Sequence, residues 1–401
     1  GMMGPLTGNY RIQYATYTAT WSTGTTPTNA TTIMIATSSV VAGSTQTKTV
    51  GGLANGTTYY FVLWSQDETN NWSFISNVAN RYSGLVGHWK LNENTGTSTV
   101  DSSGFGNNAT LIGGPAWSGG LMGNALAFDG NANYVNAGSN GSLSFTDHFS
   151  LSAWIYPTGY HTVGFWGLKN MILSRGPSST YNYALQLGGN TRISFVKRTS
   201  PEDLQFRHFD GVPSLTNRWT LVTAVVTNGT VSLYVNGALF GSQSVGPIQP
   251  GGSDFFYITS APWDPEVQFI GTIDDVRVYN HVLSTSEVMG LLTAAPPAPV
   301  TDLAATSGSA PSSIDLQWTS PGQYASTNTL TGNYRIQYAT YTATWSTGTT
   351  PTNATTLIIS TSGVTPGVVQ STTVAGLTPG IPYYFGIFTQ NSSNNWSAIS
   401  N

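Results

Sequence analysis

The sequence has 401 residues, a formal net charge of −4 and a charged fraction of 7%, far below the roughly 25% of an ordinary globular protein. It contains no cysteine and no run of basic residues, which argues against disulfides, thiolate metal sites and nucleic-acid binding. No apolar run approaches the roughly 18 residues that a membrane helix needs. We therefore expect neither nucleic acid as a partner nor membrane insertion.

An internal repeat sets the domain organisation. Residues 6–32 recur letter for letter at 330–356, and both copies continue without a gap up to Trp72 and Trp396. The copies are 324 residues apart, which suits a two-domain repeating unit better than a solenoid. Charged residues concentrate between the copies, and a proline-rich linker follows residue 295. The predicted domains are therefore 1–82, 83–295 and 296–401.

Both flanking domains have short segments of aromatic and β-branched residues between glycine, proline and asparagine turns, which predicts all-β sandwiches. The second copy places Trp318 in its second predicted strand and a Leu-Thr-Pro-Gly turn before Tyr383. These residues resemble the fibronectin type III family. The resemblance implies that Tyr383, or Tyr59 in the first copy, hydrogen-bonds back at a corner between two sheets.

Neither flanking copy is complete. The first copy lacks a counterpart of residues 300–318, and the second ends without the last strand that residues 78–82 supply in the first. Each predicted sandwich therefore has an unpaired edge, and exposed edges invite pairing. We expect the first copy either to be held by the middle domain or to be complemented by a strand from a neighbouring chain.

The middle segment predicts a large two-sheet jelly roll. Its strands alternate over 149–155, 219–226 and 231–235, and Asn236-Gly237 is a strong hairpin signal. Ser284 and Glu287 form a capping-box pattern that predicts a helix at 284–292. Trp89, Trp154 and Trp219 are expected in the core.

Five stretches of this segment, in order, resemble the laminin G-like group of the concanavalin A-like lectin fold: GLVGHWKLNENTG with TVDSSGFGNNATL, ALAFDGNANYV, FSLSAWIYP, RWTLVTAVVTNGTVSLYVNG and GTIDDVRVYNHVLSTSEV. The expected fold class is all-β, with a central concanavalin A-like jelly roll between two immunoglobulin-like sandwiches. The resemblance also implies that calcium and glycans are frequent ligands.

Calcium prefers six to eight oxygen ligands. The candidate ligands are Glu93, Asp101, Asn107 and Asp274. Asp274 alternates with Val276 and Val278, so we expect one carboxylate of the Asp274-Asp275 pair to point inward, where it must be paired or metal-bound. The alternative is an aspartate that ties a loop by accepting backbone N–H bonds. Asp129 is expected to form an Asx turn.

Sugar binding requires exposed aromatic rings together with directional hydrogen-bonding groups in a shallow cleft. Loops of the middle segment supply such residues, and the candidate ligand-binding residues are Trp166, Tyr181, Tyr183, Arg192, Arg198, His208, Trp263 and Asp264. For each aromatic residue a place in the core is the alternative.

Catalysis has little support in the sequence, because no paired-carboxylate, nucleophile-elbow, zinc-protease or phosphate-loop motif appears. The predicted function is non-catalytic carbohydrate binding or adhesion within a repetitive bacterial protein, extracellular or at the cell surface. A purely structural stalk and an accessory region of a polysaccharide-degrading enzyme are the alternatives.

Overall fold

The structure is a computed structural model that describes residues 7–37, 40–41, 43–46, 48, 50, 53, 57–82, 84–163, 167–176, 182–200, 203–248, 254–259, 267–346 and 350–401. Over these residues the regular structure is nearly all β-strand, with one α-helix and one short 3-10 helix, which confirms the all-β prediction. None of this described part forms a helix long and apolar enough to span a bilayer. The chain divides into two compact units, residues 1–85 and 86–401.

The first unit contains a four-stranded antiparallel sheet in the order β2-β1-β3-β4. Its strands are β1 (Asn9–Ala15), β2 (Thr31–Ala36), β3 (Thr58–Gln66) and β4 (Ala79–Tyr82). β4 pairs with β3, so β2 and β4 are the two edge strands of this sheet. On one face the Arg11 guanidinium lies 4.5 Å from the ring centroids of both Trp64 and Trp72, a cation–π arrangement that shields this face.

The middle domain belongs to the second unit and is built from seventeen strands. They are β5 (Leu85–Trp89), β6 (Ser98–Thr99), β7 (Ala109–Ile112), β8 (Ala116–Gly119), β9 (Asn124–Asp129), β10 (Tyr134–Asn136), β11 (Phe149–Pro157), β12 (His161–Val163), β13 (Gly167–Gly176), β14 (Tyr183–Leu187), β15 (Arg192–Ser200), β16 (Asp203–Asp210), β17 (Thr220–Thr227), β18 (Thr230–Val235), β19 (Ala238–Ser244), β20 (Phe255–Ile258) and β21 (Ile270–Tyr279).

These strands form two antiparallel sheets, which confirms the two-sheet prediction. The nine-stranded sheet runs β16-β15-β14-β13-β20-β10-β7-β6, with β12 beside β13. The eight-stranded sheet runs β19-β18-β17-β11-β21-β9-β8, with β5 beside β21. Asn236 and Gly237 join β18 to β19 with φ angles of 49° and 77°, the left-handed pair that a tight hairpin turn requires.

The main core lies between the two sheets. Trp89 stacks on Phe256 there, with ring centroids 5.6 Å apart. Trp89, Trp154 and Trp219 are 0%, 0% and 7% exposed, so all three predicted core positions are confirmed. Trp154 and Trp219 belong to a second cluster, which also contains Leu292 of the only α-helix in the described chain.

That helix, α1 (Thr285–Thr293), begins where the sequence predicts. The Ser284 side chain accepts from the Glu287 N–H, and the Glu287 carboxylate accepts from the Ser284 N–H, so both halves of the predicted capping box are present. The reciprocal bonds satisfy two backbone donors that a helix start otherwise leaves unpaired.

The C-terminal domain pairs two three-stranded sheets, β22-β23-β26 and β25-β24-β27. Its strands are β22 (Ala304–Ser307), β23 (Ile314–Thr319), β24 (Leu330–Ala339), β25 (Thr355–Val364), β26 (Val369–Val374) and β27 (Tyr384–Asn391). The Thr378 N–H donates to the Tyr383 hydroxyl at 3.0 Å, which confirms the predicted corner bond.

The proline-rich linker is tied to the C-terminal domain. The Ala325 N–H donates to the Pro296 carbonyl at 2.8 Å, and the Ala298 N–H donates to the Ala325 carbonyl at 2.9 Å. Ala325 is fully buried in the same cluster as Trp154, Trp219 and Leu292. The middle and C-terminal domains therefore share an apolar interface, which explains why they form one compact unit.

Candidate functional site

The outer face of the nine-stranded sheet gathers polar side chains from β15 and β16. Along β15, Ile193 and Phe195 enter the core, so the alternating residues Arg192, Ser194 and Arg198 face outward. The antiparallel register places Arg192 opposite Asp210 and Ser194 opposite His208. We call the set Arg192, Ser194, Phe206, His208 and Asp210 the outer-face cluster.

Short contacts order this cluster. Ser194 Oγ and His208 Nδ1 are 2.7 Å apart, and the His208 ring stacks on Phe206 with centroids 5.8 Å apart. Arg192 Nε donates to the Asp210 carboxylate, and both side chains are about half exposed. The hydrogen bonds hold the rings and charged groups in defined positions on an accessible surface.

The protonation of His208 follows from its position. Partial burial lowers the pKa of His208, the positive charge of Arg192 lowers it further, and Asp210 opposes both. The net shift is downward from the ordinary value of 6.5, so the imidazole is neutral at pH 7. The cluster thus presents a guanidinium, a carboxylate, a neutral ring nitrogen and a stacked aromatic pair, which are the groups that bind hydroxyl-rich ligands.

Two of the predicted ligand-binding residues, Arg192 and His208, are neighbours on this face, whereas Arg198 lies on the same face about 20 Å further along β15. Trp166, Tyr181, Trp263 and Asp264 lie outside the described residues. Val267, which follows the segment containing Trp263 and Asp264, packs on the outer face against Met171, Ala184, Val196 and Phe206.

Tyr183 requires a correction. It is fully buried, its hydroxyl donates to the Leu143 carbonyl at 2.8 Å, and its ring contacts Phe149 at 4.9 Å. On β14 it alternates with outward-facing Ala184, so the strand periodicity turns its ring into the core. The structure leaves it no surface for stacking on a sugar.

Sequence reasoning missed Ser194, Phe206 and Asp210 as members of the face. The signal was present only at one end of the two strands, where Arg192 and Ser194 alternate with the core residues Ile193 and Phe195, and His208 and Asp210 flank the core residue Phe209. The pairing register of the two strands, which decides which side chains are neighbours, is a tertiary property.

Asp101 and Asn107, two of the predicted calcium ligands, already have protein partners. Asp101 Oδ1 accepts from the N–H groups of His88 and Ser103, and Oδ2 accepts from the Ser103 hydroxyl and the Asn107 N–H, all at 2.8–2.9 Å. The Asn107 amide donates to the Val86 carbonyl. This pattern is the loop-tying arrangement foreseen as the alternative, and it leaves Asp101 with little capacity for a cation.

Glu93 and Asp274 differ in this respect. Glu93 Oε1 accepts from Thr99 and Val100, whereas Oε2 is buried without a hydrogen-bond partner. Asp274 Oδ2 accepts from the Leu121 and Met122 N–H groups, whereas Oδ1 is buried without a partner. Among the predicted ligands, only these two carboxylates keep a buried oxygen without a hydrogen-bond partner. No cluster of three or more acidic, histidine or cysteine side chains suited to a metal occurs in the described chain.

The strand face predicted for Asp274, which it was expected to share with Val276 and Val278, is wrong, and a β-bulge is the reason. The register between β11 and β21 shifts between Ser152 and Trp154, and Asp275 has a φ of 46°. The extra residue interrupts the alternation, so Asp274 shares a face with Trp154 while Val276 and Val278 enter the main core. Asp274 is nevertheless fully buried, as expected for one carboxylate of the pair. Burial raises its pKa to about 7 despite backbone hydrogen bonds from Met122, Leu121 and Asp275.

The neighbouring Asp275 links the first and last strands of the domain. Its carboxylate lies 2.7 Å from His88 Nε2 and 2.9 Å from Arg277 Nε. Burial raises the pKa of Asp275, but the His88 hydrogen bond and the Arg277 charge outweigh it and hold the pKa below its usual value. Sequence reasoning did not anticipate this pairing.

The predicted Asx turn at Asp129 is confirmed, since Oδ1 accepts from the Asn131 N–H at 2.8 Å.

Comparison with solved structures gives several matches. Domain 4 of AbnA, a GH43 extracellular arabinanase from Geobacillus stearothermophilus, in complex with arabinotriose, is 23% identical over 52% of this chain and 98% of its own, with a TM-score of 0.42. The binding domain of Paraclostridial Mosquitocidal Protein 1 is 16% identical over 59% of this chain and 64% of its own, with a TM-score of 0.45. The botulinum neurotoxin serotype G binding domain is 13% identical over 78% and 87%, with a TM-score of 0.48.

Comparison with curated proteins gives no significant match. Two family models do match. Residues 129–289, which contain the whole outer-face cluster, match the Laminin_G_3 model, described as the concanavalin A-like lectin/glucanases superfamily. Residues 298–401 match the fibronectin type III domain. The chain therefore contains a concanavalin A-like domain of the Laminin_G_3 family, followed by a fibronectin type III domain.

Proposed function

We propose that the middle domain is a non-catalytic carbohydrate-binding module that uses the outer-face cluster. The observation that carries this proposal is that the half-exposed Arg192 and Asp210 and the exposed His208 lie side by side on this sheet face. The buried Ser194 holds the His208 ring, which stacks on Phe206. Aromatic rings stack on sugar faces, while guanidinium, carboxylate and imidazole groups exchange hydrogen bonds with hydroxyls. The match to a superfamily that includes lectins supports the same reading.

The repeat supports a proposal for the protein's wider setting. The almost chargeless flanking copies resemble spacer domains, with residues 1–82 as a second, incomplete fibronectin type III domain. A repetitive bacterial protein, secreted or at the cell surface, is the setting that such an arrangement suits. There the module would attach a larger polypeptide to a glycan or a glycosylated surface.

Structural calcium belongs to this proposal. The free buried oxygens of Glu93 Oε2 and Asp274 Oδ1 support it, because a buried carboxylate oxygen without a donor is stabilised by a cation. Asp101 and Asn107, with their oxygens and amides engaged by the protein, contribute to the loop instead.

A glycan array probed with the full chain tests the function. We expect binding to a subset of glycans, weakened at least about tenfold by His208→Ala or Arg192→Ala, since either substitution removes a directed contact. Leu239→Ala, an exposed position on the eight-stranded sheet, is the matched control and should bind normally.

Three outcomes separate the alternatives. Absence of binding to any glycan would favour the structural stalk. Binding unaffected by His208→Ala and Arg192→Ala would remove the outer-face cluster from the function. A repeat with a chelator addresses calcium: a loss of binding or of thermal stability supports a bound ion, and unchanged behaviour contradicts it.

A further inference from the structure

Two buried basic side chains lie in one row across the nine-stranded sheet of the middle domain. Arg175 of β13 lies opposite Tyr183 of β14, and Tyr183 lies opposite Lys197 of β15. Directly opposite residues of an antiparallel pair share a face, and Tyr183 belongs to the main core. Arg175 and Lys197 therefore face inward, and they are 1% and 2% exposed. Arginine and lysine are rarely buried to this degree unless they are paired.

The two cations differ in their partners. The Lys197 ammonium donates to the Pro247 carbonyl at 3.0 Å. By contrast, Nε, Nη1 and Nη2 of Arg175 are all buried, and none of them has a hydrogen-bond partner in the described part of the chain. A buried donor without an acceptor costs free energy, and a guanidinium carries five such donors. Arg175 thus has the donors of an anion site without an acceptor from the protein.

One acidic group acts on Arg175 without pairing with it. Asp254 is 6% exposed and accepts from the Asn182 amide. Burial lowers the pKa of Arg175, and the negative charge of Asp254 is among the influences that oppose this shift. No ion pair joins the two side chains in the described chain. Together Arg175, Lys197 and Asp254 carry an excess of one positive charge.

These residues lie at the rim of the sandwich, apart from the outer-face cluster. Strand β13 ends at Gly176, directly opposite Phe255, where β20 begins. Phe255 is 39% exposed, so this end of the strands reaches the surface. On β15, Arg192 of the outer-face cluster precedes Lys197 by five residues and lies on the opposite face. A ligand of Arg175 would therefore not touch the outer-face cluster.

We propose that Arg175 anchors a second binding site at this rim, and that its ligand is a carboxylate. A carboxylate matches the planar guanidinium with two parallel N–H···O bonds. Its single negative charge neutralises the excess positive charge of the three residues. Asp254 repels any further negative charge, so the site favours a carboxylate over a doubly charged phosphate. The carboxylate belongs either to an acidic sugar or to a small organic acid, and the inference does not rest on glycan binding at the outer-face cluster.

Isothermal titration calorimetry of the full chain at constant ionic strength tests the ligand class. The probes are sodium glucuronate and sodium acetate, with glucose and inorganic phosphate for comparison. We expect saturable binding of glucuronate, no binding of glucose, and binding of phosphate at least about tenfold weaker. Binding of glucuronate alone identifies an acidic sugar as the ligand, whereas equal binding of acetate identifies a small organic acid.

Substitutions of Arg175 test the anchor. Arg175→Met should weaken carboxylate binding at least about tenfold, because it removes a charged hydrogen-bond donor. The substitution breaks no hydrogen bond within the described chain, so the ligand-free variant should remain folded by circular dichroism, with a melting temperature no lower than that of the wild type. Arg175→Lys keeps the charge but loses the planar fork and should weaken binding several-fold, so it carries the test by itself if Arg175→Met fails to fold.

Two further variants locate the site. Arg218→Met, at a half-buried arginine between β16 and β17, is the matched control and should bind carboxylates as the wild type does. Arg192→Met asks whether the outer-face cluster takes the carboxylate instead. The proposal is overturned if neither glucuronate nor acetate binds, if phosphate binds equally well, or if binding is kept in both Arg175 variants. Loss of binding in Arg192→Met alone would also overturn it.

Discussion

Adjacent aspartates in β21 show how position decides the behaviour of identical side chains. Asp274 and Asp275 are both buried, yet burial raises the pKa of the first to about 7, whereas His88 and Arg277 lower the pKa of the second. The bulge at Asp275 separates their surroundings. A protein without that bulge would direct Asp274 into the main core, where an unpaired carboxylate costs far more.

The raised pKa of Asp274 predicts how the free energy of unfolding changes with pH. With its folded pKa near 7 and an ordinary value of 3.8 when unfolded, the carboxyl favours the folded state fully below pH 4. That contribution is lost as the pH rises from 4 to 7, because only the unfolded chain then releases the proton. Asp274→Asn should reduce this loss, by on the order of 2 kcal/mol.

Denaturant unfolding at pH 4 and pH 7.5, with a chelator present, measures the effect. Asp129→Asn, at an exposed Asx turn, is the matched control. Its free energy of unfolding should change between the two pH values as much as that of the wild type. If the free energy of unfolding changes equally with pH in the wild type and in Asp274→Asn, the raised pKa of Asp274 is contradicted. Asp275 does not confuse the result, since its lowered pKa acts below pH 4.

Helix α1 is stabilised by its surroundings rather than by its own length. It is nine residues long, short for a helix that must form on its own propensity. Two things compensate: the capping box at its start and the burial of Val288 and Leu292 on one side. The helix also supplies Leu292 to the cluster that joins the middle and C-terminal domains.

Ser284→Ala should therefore lower the free energy of unfolding by about 1 kcal/mol, the usual contribution of an N-cap side chain. Thr285→Ala, one residue later and exposed, is the control and should change stability by a few tenths of that amount. Thermal unfolding of the full chain compares the two variants. A Ser284→Ala protein as stable as the control would show that packing alone holds the helix.

At the scale of the molecule, an apolar interface couples the middle domain to the C-terminal domain. Ala325 and Leu292 are buried with Trp154 and Trp219, and the Asn391 amide donates to the Ala295 carbonyl at 3.1 Å. The linker composition alone predicts a semi-rigid spacer between the two domains. The apolar contact makes this connection rigid. A rigid connection sets the direction in which the outer-face cluster points relative to the next domain.

Ala325→Arg tests this coupling, because a large charged side chain cannot be accommodated in the fully buried position. We expect the single calorimetric transition of residues 86–401 to split into two, with the lower melting temperature reduced by several degrees. Thr356→Arg, on exposed β25, should leave the transition intact. Separate transitions already in the wild type would refute the coupling.

Much of this organisation could be predicted from local signals. The Asn236-Gly237 turn, the Ser284–Glu287 capping box and the Tyr383 corner each depend on a few neighbouring residues, and each is confirmed. The site was predicted only in part. Arg192, Arg198 and His208 do share a face, but Tyr183 lies in the core. Its position was predicted wrongly because the periodicity of a five-residue strand does not say which of its two faces is buried.

By itself, then, the sequence determined the fold class, the repeat and the local turns, because periodicity and turn chemistry act over a few residues. Only the tertiary structure decided which side chains meet. Strand register paired Ser194 with His208, and one bulge turned Asp274 away from the main core. These outcomes depend on contacts between residues far apart in the chain, which no local pattern encodes.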